Sequence, residues 1–199
     1  MSKICSINVP SSASSVSTPT PFEYGEDYAF YDARSGLKPD YYQKILATAT
    51  TSIQIWDTHF RPDEDWKVFK KVKSPNLRIT ILTICDEKYY SIDDVKKMAN
   101  NIINQLDSAV LTCTLTIFAF HDKCRRQKIM WHDRFLVIDD AKFFLIGPSL
   151  NNQVGSNTSF GIHYLSKSKD IDLLKRKLHS FFPQTGNASL RHKITRRRP

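Results

Sequence analysis

No stretch of the 199-residue chain approaches the roughly 20 consecutive apolar residues that a membrane-spanning helix needs. The opening MSKICSINVP runs on into serine and threonine rather than an apolar core, so it lacks the pattern of a secretory leader. A cytoplasmic protein is the expectation. The four cysteines, Cys5, Cys85, Cys113 and Cys124, have no CxxC spacing, which weakens zinc-site and disulfide-framework readings. No internal repeat is evident. Acids are the scarcer charge, with 20 Asp and Glu against 29 Lys and Arg, a net charge of +9. That imbalance suits a polyanionic partner, either nucleic acid or an anionic membrane surface.

The basic excess is uneven. The final RHKITRRRP carries five Lys and Arg and no acid. Residues 184–199 are therefore read as a basic C-terminal tail that could grip a nucleic-acid backbone, bind anionic lipid heads or simply keep the chain soluble. At the other end, residues 1–22 are rich in Ser, Thr and Pro with few large apolar side chains, the composition of a flexible arm. Between them, residues 23–183 form one expected domain.

Helical and strand patterns alternate through that domain. LKPDYYQKILATAT carries an apolar stripe of Tyr42, Ile45, Leu46 and Ala49 at helical spacing. SIQIWDTHF alternates as a strand. RPDEDWKVFKKVK reads as a helix with Trp66, Phe69 and Val72 inward. LRITILTI and VLTCTLTIFAF are rich in β-branched residues and read as strands, with Cys85 and Cys113 as small buried hydrophobes. Ser91 followed three residues later by Asp94 opens a helix with an imperfect capping box. FLVI, KFFLI and FGIHYLS read as further strands, and DIDLLKRKLHSFF as a last amphipathic helix. This order predicts an α/β fold, a mixed sheet with helices on both faces.

The chemistry concentrates in MWHDRFLVIDDAKFFLIGPSLNN, residues 130–152. A histidine can attack phosphorus through a neutral ring nitrogen or pass protons near neutral pH. An arginine offers a planar fork of donors to a phosphate. Ser149 and Asn151, beside a Gly-containing turn, can donate to phosphate oxygens or hold the histidine. Side chains of a strand alternate, so His132 and Arg134 fall on one face. These groups require neither a metal nor a cofactor.

The spacing resembles the HKD motif of the phospholipase D superfamily, H-x-K-x4-D-x6-G-S-x-N. On that resemblance His132 is the nucleophile, Arg134 stands at the phosphate-binding lysine, and Asp139 is the motif aspartate that supports the site. Gly147, Ser149 and Asn151 match the glycine and the polar pair. The chain departs from the motif in its arginine, in seven residues rather than six before Gly147, and in Pro148. It also lacks an acid in GSNTSFGIHYL, where active nucleases of the family often carry a glutamate that orients the histidine. Asp57, with His59 nearby, is one candidate substitute and Ser159 another. Asp57 could equally be a helix cap or turn acceptor.

The loop HDKCRRQK is either a solvated loop or a substrate-contacting one, through Lys123, Arg125 and Arg126; Trp131 could stack on a base or pack at the rim. The resemblance implies a phospholipase D-like α/β domain. Its active members use two HKD motifs, so the single copy here implies a homodimer acting as a phosphodiesterase or nuclease. Branches of the superfamily that lost the chemistry serve as binding modules, which is the alternative.

Overall fold

The computed structural model describes residues 28–31, 41–60, 65–85, 90–106, 110–121, 133–147, 160–181 and 190–198. Strand β1 is Tyr28–Tyr31, followed by helix α1 (Tyr41–Leu46), β2 (Ser52–Trp56) and a 3-10 helix (Asp65–Lys71). Then come β3 (Asn76–Cys85), α2 (Ile92–Gln105) and β4 (Thr112–His121). The second half supplies β5 (Arg134–Ile138), β6 (Lys142–Ile146), β7 (Phe160–Tyr164), α3 (Ser168–Phe181) and β8 (Leu190–Arg198).

All strands join one eight-stranded sheet in the order β1-β7-β6-β5-β2-β3-β4-β8. β2, β3 and β4 run parallel, linked by crossovers through the 3-10 helix and α2, and every other pairing is antiparallel. The sheet is therefore mixed, as the order of elements predicts.

Period-two alternation sorts the strand side chains onto two faces. Ile53, Ile55, Ile79, Ile81, Leu115, Ile117, Leu136 and Ile138 are buried on one of them. Against these pack Tyr42, Ile45 and Leu46 of α1, Phe69 and Val72, and Val95, Met98, Ala99 and Ile102 of α2. The other face carries a smaller cluster of Trp56, Leu82, Phe118, Phe120, Val137 and Phe143. α3 lays Leu174 and the partly buried Ile171 on it, one helical turn apart. Helices thus cover both faces of a single domain.

Two elements differ from the sequence expectation in kind. The segment read as a second helix is 3-10 over Asp65–Lys71, and Phe69 and Val72 stand three apart, so the tighter winding sets both inward. The residues read as a basic tail are not a tail over Leu190–Arg198: they pair antiparallel with β4 as edge strand β8. An edge strand tolerates dense positive charge because such charge discourages further strand addition. The expected capping box is complete. Ser91 Oγ accepts from the Asp94 N–H at 3.3 Å, and an Asp94 carboxylate oxygen accepts from the Ser91 N–H at 2.7 Å. The Ser91 N–H, and the Ser91 hydroxyl that donates to the same carboxylate oxygen at 2.8 Å, hold the Asp94 carboxyl below its usual range. The arm, residues 1–22, lies outside the described residues.

Candidate active site

The register of β2 against β5 pairs Trp56 with Phe135, so one step further along the strands Asp57 meets Arg134. The Asp57 N–H donates to the Leu82 carbonyl of β3 at 3.1 Å, which holds the carboxylate at the mouth of the parallel strands. Asp57 is only 1% exposed, so its carboxylate needs partners. Oδ1 accepts from the His59 N–H at 2.8 Å, an Asx-type turn two residues on. It also accepts from Arg134 Nε at 3.2 Å, an ion pair spanning 77 residues of sequence.

Arg134 is the first residue of β5. Its Nη1 donates to the Gly147 carbonyl at 2.7 Å, across the β5–β6 hairpin. Gly147 itself sits close to β7: its N–H donates to the Gly161 carbonyl at 3.2 Å, and a Cβ added to it would lie 3.4 Å from that same oxygen. The guanidinium is thus held by a carboxylate from β2 and a carbonyl from the end of β6. A guanidinium has five N–H groups, and these two bonds leave others for a further acceptor.

The opposite end of β5 carries Asp139. The Ala141 N–H donates to the Ile138 carbonyl at 3.1 Å, closing a turn whose central residues, Asp139 and Asp140, have φ of 56° and 52°. This is the type I′ pattern, which matches the twist of the flanking strands but is unfavourable for residues with a Cβ. Asp139 Oδ1 accepts from the Thr51 N–H at 2.7 Å and the Ser52 N–H at 2.9 Å. Oδ2 accepts from the Thr50 N–H at 2.9 Å and the Thr50 hydroxyl at 2.8 Å. Burial alone would raise the Asp139 pKa. The bonds from the Ser52, Thr51 and Thr50 N–H groups and the Thr50 hydroxyl outweigh it and hold the carboxyl well below the ordinary range.

Among the sequence-predicted site residues, Arg134, Asp57 and His59 are brought together. Asp139 is not among them, since the length of β5 separates it from Arg134, roughly 15 Å at strand rise. Its hydrogen bonds instead fix the far end of the strand to Thr50, Thr51 and Ser52. His132, Ser149, Asn151, Ser159, Lys123, Arg125, Arg126 and Trp131 lie outside the described residues. Sequence reasoning missed the Gly147 carbonyl as an acceptor, and a main-chain oxygen leaves no signal in residue type. It also missed Thr50, Thr51 and Ser52, although three hydroxyl residues in a row before a strand are a visible cue to a carboxylate anchor.

No known family matches the chain in sequence, and neither does any curated protein. Solved structures do match. NucT from Helicobacter pylori aligns with a TM-score of 0.50 at 14% identity, over 82% of this chain and 96% of that one. Nuc from Salmonella typhimurium, a phospholipase D family member, aligns with a TM-score of 0.48 at 13% identity, over 82% and 95%. TrmBL2, an archaeal chromatin protein with a novel mode of DNA binding, aligns at 0.42 and 14% identity, and this chain spans 53% of its length. The likeness to NucT is one of fold, and the fold is one mixed α/β sheet with helices on both faces.

Proposed function

We propose that the protein is a metal-independent phosphodiesterase, a nuclease that acts through His132 in a homodimer. The observation that carries this reading is the fixed guanidinium of Arg134. It sits at the strand ends, two residues after His132, with N–H groups left to meet a phosphoryl oxygen. A pair of such sites facing one another across a two-fold axis would bring two His132 rings to one phosphodiester. One ring nitrogen attacks phosphorus and the bond to the leaving oxygen breaks. The other His132, protonated, gives its proton to that oxygen. Water then attacks the phosphohistidine, loses a proton to the second imidazole, and frees the first. Arg134 and Asn151 stabilise the charge on the phosphoryl oxygens. Asp139 serves by fixing the far end of β5.

A second reading is a catalytically silent module that binds nucleic acid or anionic membrane. The ion pair itself favours it, because the buried Asp57 carboxylate neutralises part of the charge that Arg134 would offer a substrate.

The deciding experiment is cleavage of plasmid DNA, single-stranded DNA, RNA and bis-p-nitrophenyl phosphate in EDTA, with His132→Ala as control. Loss of at least about a thousandfold in the variant supports the enzyme. No turnover by folded, dimeric wild type supports the silent module.

A further inference from the structure

A phosphoryl group that meets Arg134 also meets a fixed negative charge. Arg134 Nε lies 3.2 Å from Asp57 Oδ1, and Nη1 donates to the Gly147 carbonyl at 2.7 Å. These bonds use the Nε N–H and one N–H of Nη1. A ligand oxygen is left with the second N–H of Nη1 and the pair on Nη2. Phosphorus held there lies roughly 6–8 Å from the Asp57 carboxylate, one hydrogen bond on either side of a planar guanidinium. Little water stands between them to damp the field. The Asp57 side chain is 1% exposed and that of Arg134 19%. The carboxylate is also held in place, by the Asp57 N–H on the Leu82 carbonyl at 3.1 Å and by the His59 N–H on Oδ1 at 2.8 Å.

A carboxylate so placed repels any anion on Arg134, in proportion to the charge of that anion. A phosphodiester carries one negative charge. A phosphomonoester carries about 1.5 to 2 at pH 7. The Arg134 cation favours the more highly charged ester, and Asp57 opposes that preference. Its contribution is its own and has the same sign whatever other groups line the site. One elementary charge at that distance, near a protein surface, corresponds to about tenfold to a hundredfold in affinity.

We propose that Asp57 is a specificity-determining residue that makes the Arg134 site select singly charged phosphodiesters over doubly charged phosphomonoesters. The proposal rests on a phosphoryl group binding at Arg134, as in the reading above. Hydrolysis turns the first class into the second. Water adds across the P–O bond, the leaving oxygen departs as an alcohol, and the new phosphomonoester gives its acid proton to solvent. Its charge rises from one to nearly two, and the repulsion from Asp57 rises with it. The same residue that admits the substrate therefore favours release of the product. In a polynucleotide, internal phosphates are preferred to a terminal one. A cation without a buried acid beside it would do the reverse and retain the product.

The test is an NMR titration of the full chain with dimethyl phosphate, which has one charge, and methyl phosphate, which has nearly two at about pH 7.5. The quantity read is the ratio of the two dissociation constants. Asp57→Asn keeps an oxygen that can accept from Arg134 Nε and the His59 N–H, and removes the charge. Asp93→Asn, which removes an exposed acid on α2, is the control. Thermal melts verify folding. Wild type should bind dimethyl phosphate more tightly. Asp57→Asn should move the ratio toward methyl phosphate by at least about tenfold, and the control should match wild type. A merely loosened site would weaken both ligands alike and leave the ratio unmoved. Tighter binding of methyl phosphate by wild type overturns the proposal, and this comparison decides alone if Asp57→Asn does not fold. An unmoved ratio in the folded variant overturns it too, as does a wild type that binds neither ligand. Cleavage tests a separate matter: the expected ratios without turnover of any diester sink the nuclease reading alone, and turnover of diesters with an unmoved ratio sinks the charge selection alone.

Discussion

The two ends of β5 each hold an aspartate, and the two are used oppositely. At the start of the strand Asp57 is buried and meets a cation, Arg134, whose remaining donors are left for another acceptor. At its end Asp139 meets the N–H groups of Thr50, Thr51 and Ser52, and its carboxylate is saturated. A carboxylate paired with a guanidinium leaves N–H groups on that cation which a ligand can share. A charge satisfied by main-chain N–H groups fixes the backbone and offers nothing outward. Asp139 fastens β5 to the start of β2, and the N–H groups still open to a ligand are those of Arg134 at the other end.

That contrast makes specific demands on substitutions. Asp57→Ala should be the most damaging, because it leaves Arg134 without its buried counter-charge. Breaking such a pair costs about 3–5 kcal/mol, read as a lower midpoint in urea unfolding. Replacing both partners, Asp57→Leu with Arg134→Met, should recover most of that loss if the cost is the stranded charge. Asp139→Ala should cost about 2–3 kcal/mol from the hydrogen bonds lost to a charged acceptor. Its effect should fall on stability, with kcat little changed at temperatures where the variant is folded.

Asp139 also sets an acid dependence. Its folded pKa is depressed, so its stabilisation is full above the unfolded carboxylate value near ~3.9 and is lost as pH falls below that. Asp139→Asn should flatten the acid limb of stability measured between roughly pH 5 and pH 2. Arg134→Lys restores the residue usual in the HKD motif, yet it should lose about 1–2 kcal/mol and most activity. A single ammonium does not reproduce the fork that joins Asp57 Oδ1 to the Gly147 carbonyl. The smallest effect is expected at Asp140→Gly. Relief of the positive φ should exceed the lost Gln54 bond and raise the melting midpoint, by up to about 1 kcal/mol in stability.

Much of the fold was legible locally. The β-branched runs of β3 and β4, the Ser91–Asp94 box and the Tyr42–Ala49 stripe are statements about neighbours in sequence, and each appears in the structure. β8 was illegible for the opposite reason. RHKITRRR has no strand-like alternation of its own, and β4, its partner, lies some seventy residues earlier in the chain. The same limit holds at the site. Asp57 stood out as an acid at a strand end, but that it would meet Arg134 depends on the antiparallel register of β2 and β5. The left-handed pair Asp139–Asp140 reads as a turn from residue type, while its hold on Thr50–Ser52 is tertiary.

The Asp139 fastening has a kinetic consequence. Its bonds close a loop of 87 to 89 residues, because Thr50–Ser52 and Asp139 are that far apart in the chain. The turn carrying Asp139 can form early, within its own hairpin. The carboxylate reaches its N–H partners only once β5 has docked beside β2, after the entropy of that long loop has been lost. Contacts made after the folding transition state slow unfolding without speeding folding. Removing the carboxylate should therefore shorten the lifetime of the native state and leave the refolding rate nearly as it was, a difference that the two limbs of a chevron separate directly.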